Sequence, residues 1–460
     1  MRTSISWNVL FRLQETLKGH TTFAVLREME AADRMSVGQF EDSRNRRLRE
    51  FLSYGQQHVP YVRKMLSLAG LEPSGIRSAE DLRRLPLMTK ADVRRCREEL
   101  RSDAAGKLSS FSTGGSTGEP LIFDLAERRI SSRVACRQRV ARWWGMTVGD
   151  PELTIWGSPL ELTSQDWVRR LRDRLMSIRL LSAYEMNEAM MAEYVEILGS
   201  GRWRQIFAYP SSIYRLCQYA RKQGRDLRNS GIRVVFVTSE MLYGYQRELI
   251  VDTFGCPVAN GYGGRDSGFI AHECPQGGMH FMADAVIPEI VDDQGFPVPP
   301  GEAGHIVVTD LYSHEVPFVR YLTGDIGVLS SRRCGCGRPL PLLERLDGRS
   351  NDSVVTADGR VMHGQSLIST LMEIPGIEQF RICQKSVSRL HVQLVRNEAY
   401  RQECEERILK GWSERLRTPL QVTFEYLPAL AHERTGKFKH IVSEIQDTGS
   451  EENLTQGSTV

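Results

Sequence analysis

Residues 205–238 hold the stretch that decides the fold class, QIFAYPSSIYRLCQYARKQGRDLRNSGIRVVFVT. An apolar run at Gln205–Ala208 is followed by helical spacing of apolar residues over Ile213–Lys222, and then by a second apolar run at Arg233–Thr238. Short apolar runs separated by a helix of this length are typical of strands that pair in parallel. The stretch therefore predicts a strand–helix–strand unit of an α/β fold.

The same alternation extends on both sides of this unit, over residues 101–330. Further strands are predicted at Leu153–Trp156 and Gly304–Thr309, and further helices at Ala189–Leu198 and Tyr243–Thr253. Residues 1–100 are predicted to be mainly helical, with capped short helices beginning near Ser78 and Thr89. The pattern predicts layers of helices and mostly parallel strands.

The pattern changes near residue 350. A hairpin is predicted to turn on Asp358-Gly359, with strands at Leu390–Val395 and Gln421–Tyr426 and a helix at Arg401–Arg415 between them. About 100 residues of α+β structure can form a small separate domain. We therefore predict a large domain over 1–350, a small one over 351–447, and a disordered polar tail over 448–460.

Composition restricts the class of partner. The 460 residues are 41% hydrophobic and 25% charged, and the formal net charge of +3 gives no reason to expect a nucleic-acid or membrane partner. No run approaches the roughly 18 apolar residues of a membrane-spanning helix, and the N-terminus does not resemble a signal peptide. The nine cysteines do not suggest a disulfide framework, so a reducing cytoplasm is expected. A basic run at Arg169–Arg174 is interpreted as a surface helix, with a membrane-surface helix as the alternative.

Residues 109–120, SSFSTGGSTGEP, are the most informative local motif. Three glycines allow backbone N–H groups to surround an anion, and neighbouring hydroxyls add donors, which suits a polyphosphate. The loop lacks the Gly-Lys-Ser/Thr end of a Walker loop. Gly114–Gly118 also fits the nucleophile elbow of serine hydrolases, but that motif requires a buried strand before it and a helix after it, whereas a polar run precedes it here and a strand-like segment follows. A plain flexible loop is the remaining alternative.

Further motifs lie downstream of this loop at positions where α/β folds place ligands. They are Thr238-Ser-Glu240 after an apolar strand, Asn260-Gly-Tyr-Gly-Gly-Arg-Asp266, Tyr321-Leu-Thr-Gly-Asp325, Gly348-Arg349 and Glu433-Arg-Thr-Gly-Lys-Phe-Lys439. With the glycine-rich loop, these motifs resemble those of the adenylate-forming enzymes, in particular the phenylacetate–CoA ligase family and its capsule-biosynthesis (CapK-like) relatives. The resemblance covers nearly the whole chain and begins at His58–Arg63 and Asp81–Lys90.

The resemblance implies a large adenylate-forming domain followed by a small mobile lid domain. It implies ATP and Mg²⁺ as cofactors, formation of an acyl-adenylate from a carboxylic acid, and transfer of the acyl group, with coenzyme A as the expected acceptor. A homodimer is compatible with it, whereas a nucleic-acid partner is not expected.

The resemblance also assigns roles to individual residues. Lys437 is the implied catalytic lysine, with Lys439 as the alternative, and Asp266 is the implied Mg²⁺ ligand, although the family usually has Glu there. Asn351 lies at the hinge position, where the family has Asp or Lys. The residues implied to bind nucleotide are Ser112, Thr113, Gly114, Gly115, Ser116, Thr117, Gly118, Ser239, Glu240, Tyr262, Gly263, Asp325 and Arg349.

The segments expected to line the acid site are aromatic and uncharged. They contain Trp156, Tyr209 and Pro210, which favours an aryl or other apolar acid.

Cys274, His280, Cys334 and Cys336 form a candidate metal site. Three Cys and one His are a standard tetrahedral zinc set, and the Cys-Gly-Cys-Gly turn lets two sulfurs face one point. His272 is a possible substitute ligand. The alternatives are cysteines without metal, or a zinc ribbon that binds nucleic acid, although a ribbon would need C-x₂-C pairs and a basic domain.

Two functional questions remain open from the sequence. The acceptor of the acyl group could be an amine, a carrier protein or another coenzyme, because these relatives share the same core. The chain could also be a degenerate, nucleotide-binding scaffold, since Asp266 and Asn351 depart from the family pattern.

Overall fold

The computed structural model describes residues 11–113, 121–147, 149–157, 177–183, 186–349, 353–355, 361–363, 365–416, 421–430, 438 and 440–444. The chain divides into two compact units. The first comprises residues up to Thr323 together with Gly327–Arg345, and the second comprises Gly324–Ile326 and the residues from Leu346 onward. The predicted helix containing Arg169–Arg174 lies outside the described residues.

The helices and strands are numbered in chain order. The helices are α1 (Arg12–Leu17), α2 (Thr22–Ala32), α3 (Val37–His58), α4 (Pro60–Leu68), α5 (Lys90–Arg95), α6 (Glu127–Trp143), α7 (Glu188–Gly199), α8 (Pro210–Lys222), α9 (Gly244–Phe254), α10 (Gln365–Met372) and α11 (Glu403–Leu416). The strands are β1 (Leu108–Ser112), β2 (Ile122–Ala126), β3 (Glu152–Trp156), β4 (Ile178–Ser182), β5 (Gln205–Ala208), β6 (Val234–Thr238), β7 (Val258–Gly264), β8 (Gly268–Glu273), β9 (Met279–Phe281), β10 (Val286–Val291), β11 (Ala303–Asp310), β12 (Tyr321–Leu329), β13 (Leu343–Arg349), β14 (Ser353–Val355), β15 (Val361–His363), β16 (Ile377–Ser386), β17 (Arg389–Arg396), β18 (Gln421–Tyr426) and β19 (Ile441–Ser443).

A seven-stranded sheet organises the first unit. Its strand order is β4-β3-β5-β6-β7-β8-β9, with parallel pairing from β4 to β7 and antiparallel pairing from β7 to β9. Alternate residues of β5 and β6, such as Ile206 and Val235, are fully buried in a core that also contains residues of helices α7, α8 and α9. Because side chains alternate across a strand, Phe207 and Phe236 project to the other face of the sheet. The predicted strand–helix–strand unit is thus confirmed as the centre of the fold.

The N-terminal helices α3 and α4 share a buried core with Ile287 of β10, Leu311 and Val319. Helix α3 begins with a capping box in which Ser36 and Gln39 satisfy each other's backbone N–H groups. Thr89 and Asp92 form the same motif at the start of α5, and a 3₁₀ helix spans Ala79–Arg84. The two capped helices predicted at Ser78 and Thr89 are therefore confirmed.

A two-stranded hairpin brackets the glycine-rich loop. Strand β1 pairs antiparallel with β2 from Leu108↔Ala126 to Ser112↔Ile122, and the Thr113 N–H donates to the Leu121 carbonyl at 3.0 Å. The polar run before the loop is thus a strand, which the apolar pattern did not indicate because its side chains are exposed or half-buried. Gly114–Gly118 lie outside the described residues. A strand follows the loop where a nucleophile elbow would need a helix, which argues against the hydrolase alternative.

The other sheets are smaller. A sheet of order β10-β11-β12-β13 begins with an antiparallel pair running from Val286↔Asp310 to Val291↔His305. In the second unit, β14 pairs with β15 as the predicted hairpin, and a sheet of order β18-β17-β16-β19 lies with helices α10 and α11. Trp412 of α11 is buried and donates from its indole N–H to the Leu367 carbonyl of α10 at 3.1 Å. Across the described part of the chain, no helix has the length and apolarity that crossing a membrane requires.

Candidate active site and metal centre

Three parallel strands end at one edge of the large sheet and place predicted site residues there. Trp156 is the last residue of β3, and Tyr209 directly follows β5. Their rings stack with centroids 4.0 Å apart and an interplanar angle of 26°. The structure thus brings together two of the three residues predicted to line the acid site, and the third, Pro210, begins helix α8. Ligands of open α/β sheets bind at this carboxyl edge.

The segment after β6 reaches the same edge. Ser239 has a φ of 71°, a left-handed conformation that a non-glycine residue seldom adopts. Glu240 accepts a hydrogen bond from the Ser211 N–H, in the first turn of α8, at 3.0 Å. The Ser239–Glu240 turn is therefore tied to the helix that follows Tyr209. A strained backbone of this kind is often found at ligand-binding positions.

Strand β7 ends with Tyr262, Gly263 and Gly264 of the Tyr-Gly-Gly-Arg-Asp motif. Close packing requires both glycines. A Cβ on Gly263 would lie 2.2 Å from the Gly268 carbonyl oxygen, so no side chain fits there. Tyr262 is buried, and its hydroxyl donates to the Thr323 hydroxyl at 3.4 Å. The chain then turns at Arg265 and Asp266 into β8.

Asp266 is a buried carboxylate held by hydrogen bonds. Its Oδ2 accepts from the Tyr321 hydroxyl at 2.6 Å, and its Oδ1 accepts from the Ser267 N–H at 3.1 Å. Its main-chain carbonyl accepts from Arg129, which also pairs with the buried Asp310. Both carboxylate oxygens keep free lone pairs in this arrangement. The side chain can therefore serve a hard cation directly or through water.

Arg265 connects this turn to the glycine-rich loop. Its Nη1 donates to the Ser112 carbonyl at 3.3 Å, across 153 positions of sequence. Ser112 and Thr113 are the predicted nucleotide-binding residues of the loop that the structure describes, and Ser112 lies next to Arg265. The structure thus joins Ser112 of the predicted phosphate loop to Arg265, the residue that precedes the predicted magnesium ligand.

The predicted cysteine–histidine site is assembled within the first unit. The ligand atoms of Cys274, His280, Cys334 and Cys336 all lie within 4.8 Å of one another. The Cys274 and Cys334 sulfurs are 3.6 Å apart, and the Cys336 sulfur lies 3.2 Å from His280 Nε2. His280 Nδ1 lies 3.2 Å from the Leu340 carbonyl. Since a carbonyl only accepts, Nδ1 carries the proton and Nε2 directs its lone pair at the sulfurs.

The surroundings of the cluster are closely packed. A Cβ on Gly278 would lie 2.6 Å from the Cys334 sulfur, so the turn between Cys274 and His280 needs glycine there. Burial raises the pKa of the Cys274 thiol to about 12. His272, the possible substitute ligand, is not among the clustered ligand atoms, and its ring lies against Gly261 and Phe236. That alternative is therefore wrong.

The predicted ribose-binding, hinge and lysine residues follow β11 in the chain. Asp325 lies in β12 and is half-buried, and Arg349 is the last residue of β13. The side chain of Arg349 and the whole of Asn351, Lys437 and Lys439 lie outside the described residues.

Comparison with known proteins shows which of them this chain resembles. Residues 354–444 match the CapK C-terminal domain family. The chain is 26% identical over 366 residues to the phenylacetate–coenzyme A ligase of Thermus thermophilus, covering 76% of this chain and 78% of that protein. It is 21% identical to Protein CapK of Staphylococcus aureus, covering 87% and 89%.

The crystal structure of 2-hydroxyisobutyryl-CoA ligase in the postadenylation state, in complex with R3-HIB-AMP, matches with a TM-score of 0.72. The match is 19% identical and covers 92% of this chain and 93% of that one. The chain has the fold of the adenylate-forming CoA ligases. The predicted fold class and the resemblance noted in the sequence are both confirmed. The same ligase in complex with 2-HIB-AMP and CoA matches with a TM-score of 0.60, 20% identity and 93% and 94% coverage.

Within this adenylate-forming fold, three contacts at the site were not foreseen from the sequence. They are the Tyr321–Asp266 hydrogen bond, the Arg265–Ser112 hydrogen bond and the buried Arg129–Asp310 ion pair behind Asp266. The Arg129–Asp310 ion pair had one indication in the sequence. Arg129, Arg133 and Arg137 recur every four residues in α6, and the intervening Ser132 and Cys136 are buried. Such spacing places several arginines on one side of a helix.

Proposed function

We propose that this protein is an ATP-dependent, AMP-forming acid ligase that converts a carboxylic acid to an acyl-adenylate and transfers the acyl group to coenzyme A. The observation that carries the proposal is the joining of Ser112 to the Arg265–Asp266 turn, next to a strand edge with stacked aromatic rings. The fold is that of a ligase observed with a bound acyl-AMP. Phosphate-binding hydroxyls, a carboxylate for magnesium and an apolar acid site are what this chemistry requires.

The first step is attack of a carboxylate oxygen on the α-phosphorus of ATP, which forms the acyl–phosphate bond and releases pyrophosphate. The glycine-rich loop at residues 109–120 holds the phosphates, and Asp266 is the residue that would hold Mg²⁺. Bound Mg²⁺ would neutralise charge on the phosphate oxygens. Lys437 offsets the charge that develops during the attack. Ser239, Glu240 and Tyr262 bind the adenosine end.

The second step is attack of a thiolate on the activated carbonyl, which releases AMP. Asp325 holds the ribose, Arg349 contacts the ribose or a phosphate, and Asn351 acts as the pivot between the two poses of the small domain. Coenzyme A is the proposed acceptor because phenylacetate–coenzyme A ligases are similar over three-quarters of the chain. A reducing cytoplasm is the proposed compartment, since none of the nine cysteines, all of which lie among the described residues, is in a disulfide.

ATP–pyrophosphate exchange tests the proposal. We expect exchange to depend on one of a broad panel of aryl and alkyl acids, and the best acid to yield a CoA thioester by mass spectrometry. Amines and carrier proteins, supplied in parallel, test the other acceptors. Folded protein that supports no exchange with any acid would favour a degenerate scaffold instead.

The Tyr321–Asp266 hydrogen bond gives a first mutational prediction. Tyr321→Phe removes one donor to a buried carboxylate, and the loss of such a bond costs about 1–3 kcal/mol. We expect the KM for MgATP in the exchange reaction to rise by about tenfold as Asp266 loses its position. Tyr312→Phe is the matched control, because Tyr312 is also fully buried but bonds to Arg47 instead. An unchanged MgATP dependence in Tyr321→Phe would remove Asp266 from this role.

The cysteine–histidine cluster is proposed to hold a structural Zn²⁺ ion. Zinc–sulfur bonds of about 2.3 Å in a tetrahedron place two sulfurs roughly 3.8 Å apart. The 3.6 Å between the Cys274 and Cys334 sulfurs fits that spacing. A zinc ion bound here would join the turn after β8 to the Cys334–Cys336 turn. These two turns are far apart in the sequence.

Cys336→Ser tests the zinc proposal. We expect about one zinc per chain in the native protein by plasma mass spectrometry, and a severalfold lower content in the variant together with a lower melting temperature. Cys96→Ser is the control, because Cys96 is not part of the cluster. Native protein that is free of zinc after expression in zinc-supplemented medium would contradict the proposal.

A further inference from the structure

The sequence of the predicted phosphate loop contains no cationic residue. Residues 109–120, SSFSTGGSTGEP, include no lysine or arginine, and Glu119 adds a negative charge. Loops that bind the phosphates of ATP commonly combine backbone N–H donors with a lysine or arginine. We therefore expect a cation from elsewhere in the chain to lie beside this loop.

Arg265 is a cation that the structure places against this loop. It follows Gly264 at the end of β7 and is exposed, and its Nη1 donates to the Ser112 carbonyl at 3.3 Å. The two residues are 153 positions apart, so the fold and not a local turn brings them together. A hydrogen bond of this length to a neutral carbonyl is weak, and a phosphate oxygen would be a stronger acceptor for the same guanidinium.

Two other arginines lie at the β1–β2 hairpin, and both bond a carboxylate there. Arg97 and Arg101 each donate to the buried Asp124 of β2, with closest distances of 2.8 Å. Arg97 also donates to the Ser110 hydroxyl of β1 at 3.2 Å. Because Asp124 holds both of these guanidiniums, Arg265 is the better placed of the three to bind an anion at the loop.

The residue after Arg265 indicates which phosphates the guanidinium would meet. Asp266 is the proposed Mg²⁺ ligand, and the Tyr321 hydroxyl holds its carboxylate at 2.6 Å. Magnesium bound together with ATP commonly bridges oxygens of the β- and γ-phosphates. A guanidinium on the residue before the magnesium ligand would therefore lie near these two phosphates, which leave together as pyrophosphate.

We propose that Arg265 binds the β- and γ-phosphates of ATP and stabilises the pyrophosphate as it leaves. The inference rests on the proposed function and adds a residue to which the family resemblance gives no role. When the carboxylate attacks the α-phosphorus, the bond from that phosphorus to the bridging oxygen breaks, and its electron pair stays on the pyrophosphate. The planar guanidinium can donate two parallel hydrogen bonds to the phosphate oxygens that carry this charge.

Variants of Arg265 test this inference in ATP–pyrophosphate exchange with the best acid of the panel. Arg265→Gln removes the charge but keeps an N–H donor for the Ser112 carbonyl. We expect its KM values for MgATP and for pyrophosphate to rise by about 10- to 100-fold, the range for a hydrogen bond between charged groups. Arg265→Lys should recover part of this loss, because an ammonium group keeps the charge without the planar fork.

Arg221→Gln is the matched control for the loss of an exposed arginine. Arg221 lies in the last turn of α8, whereas the sheet edge with the site residues lies at the first turn of that helix, and it pairs with Asp252 at 3.6 Å. We expect this variant to keep the native KM values. Circular dichroism checks that each variant folds.

A comparison of two nucleotides separates phosphate binding from support of the loop. AMP lacks the β- and γ-phosphates, so calorimetry should give the same Kd for AMP in Arg265→Gln and in the native protein. With Mg²⁺ present, α,β-methylene-ATP should bind the variant about 10- to 100-fold more weakly. A parallel loss of affinity for both nucleotides would assign Arg265 to support of the loop and overturn the inference.

The outcomes separate this inference from the proposed function. Native KM values in Arg265→Gln, with exchange intact, would overturn the inference and leave the ligase assignment in place. If no acid supports exchange, the proposed function fails, and the calorimetry still decides. Weaker binding of α,β-methylene-ATP with unchanged binding of AMP supports the phosphate contact, and unchanged binding of both contradicts it. A native protein that binds neither nucleotide would overturn both proposals.

Discussion

Lys437→Ala is expected to lower acid-dependent ATP–pyrophosphate exchange by about 10²–10⁴-fold. One cationic donor directed at charge that develops in the transition state contributes on this order. The loss should appear in kcat, with a smaller change in the KM for ATP, because the interaction is made mainly in the transition state. Steady-state exchange at varied ATP and acid concentrations separates the two parameters.

Lys439→Ala is the natural control, two residues away on the same segment. We expect it to retain most of the exchange activity, and Lys437→Arg to recover only part of what Lys437→Ala loses. Lys437→Ala supplied with chemically made acyl-adenylate should still form thioester, because the lysine acts in the first step. Native exchange in Lys437→Ala with a loss in Lys439→Ala would transfer the role to Lys439.

Arg129→Met is expected to lower the stability of the first unit by about 3–5 kcal/mol, because it leaves a buried carboxylate unpaired. Arg129 is 1% exposed, its Nε lies 2.6 Å from Asp310 Oδ2, and its guanidinium lies 4.3 Å from the centre of the Phe318 ring. The same side chain bonds the Asp266 carbonyl, so MgATP binding should weaken as well. Urea unfolding followed by tryptophan fluorescence measures the first effect.

The double variant Arg129→Met/Asp310→Asn distinguishes a broken pair from a general packing defect. Replacing both charges removes the unpaired carboxylate, so we expect the double variant to recover more than half of the lost stability. A loss below about 1 kcal/mol in Arg129→Met would show that water reaches this pair. A double variant as unstable as the single one would assign the loss to the arginine's packing on Phe318.

The fold could be predicted where buried apolar runs define the elements. Strands β5 and β6 are mostly buried on both faces, so they are apolar apart from Gln205 and Thr238, and their bounds were predicted to within one residue. Strand β1 could not be predicted in this way. Its residues are exposed or half-buried, and its pairing with β2 depends on backbone hydrogen bonds rather than on an apolar face.

Some features of the candidate site could likewise be predicted from the sequence, and others could not. The cysteine–histidine cluster was predicted because metal ligands follow a residue code that is visible in sequence, and the structure brings all four together. The ion pairs of helix α6 could not be assigned from sequence, because they depend on which strand each arginine faces. Arg129 pairs with Asp310 of β11, and Arg137 pairs with Glu152 of β3. These pairings exist only once α6 packs against the two strands.

Transfer of oxygen from acid to AMP tests the central proposal most directly. The best acid of the panel, labelled with ¹⁸O in its carboxylate, is incubated with ATP, Mg²⁺ and coenzyme A, and the nucleotide is analysed by mass spectrometry. An acyl-adenylate route leaves one carboxylate oxygen on the phosphate when the thiol displaces AMP, so AMP carrying a single ¹⁸O is expected. Unlabelled AMP, or label found in orthophosphate with ADP as the nucleotide product, would contradict the account.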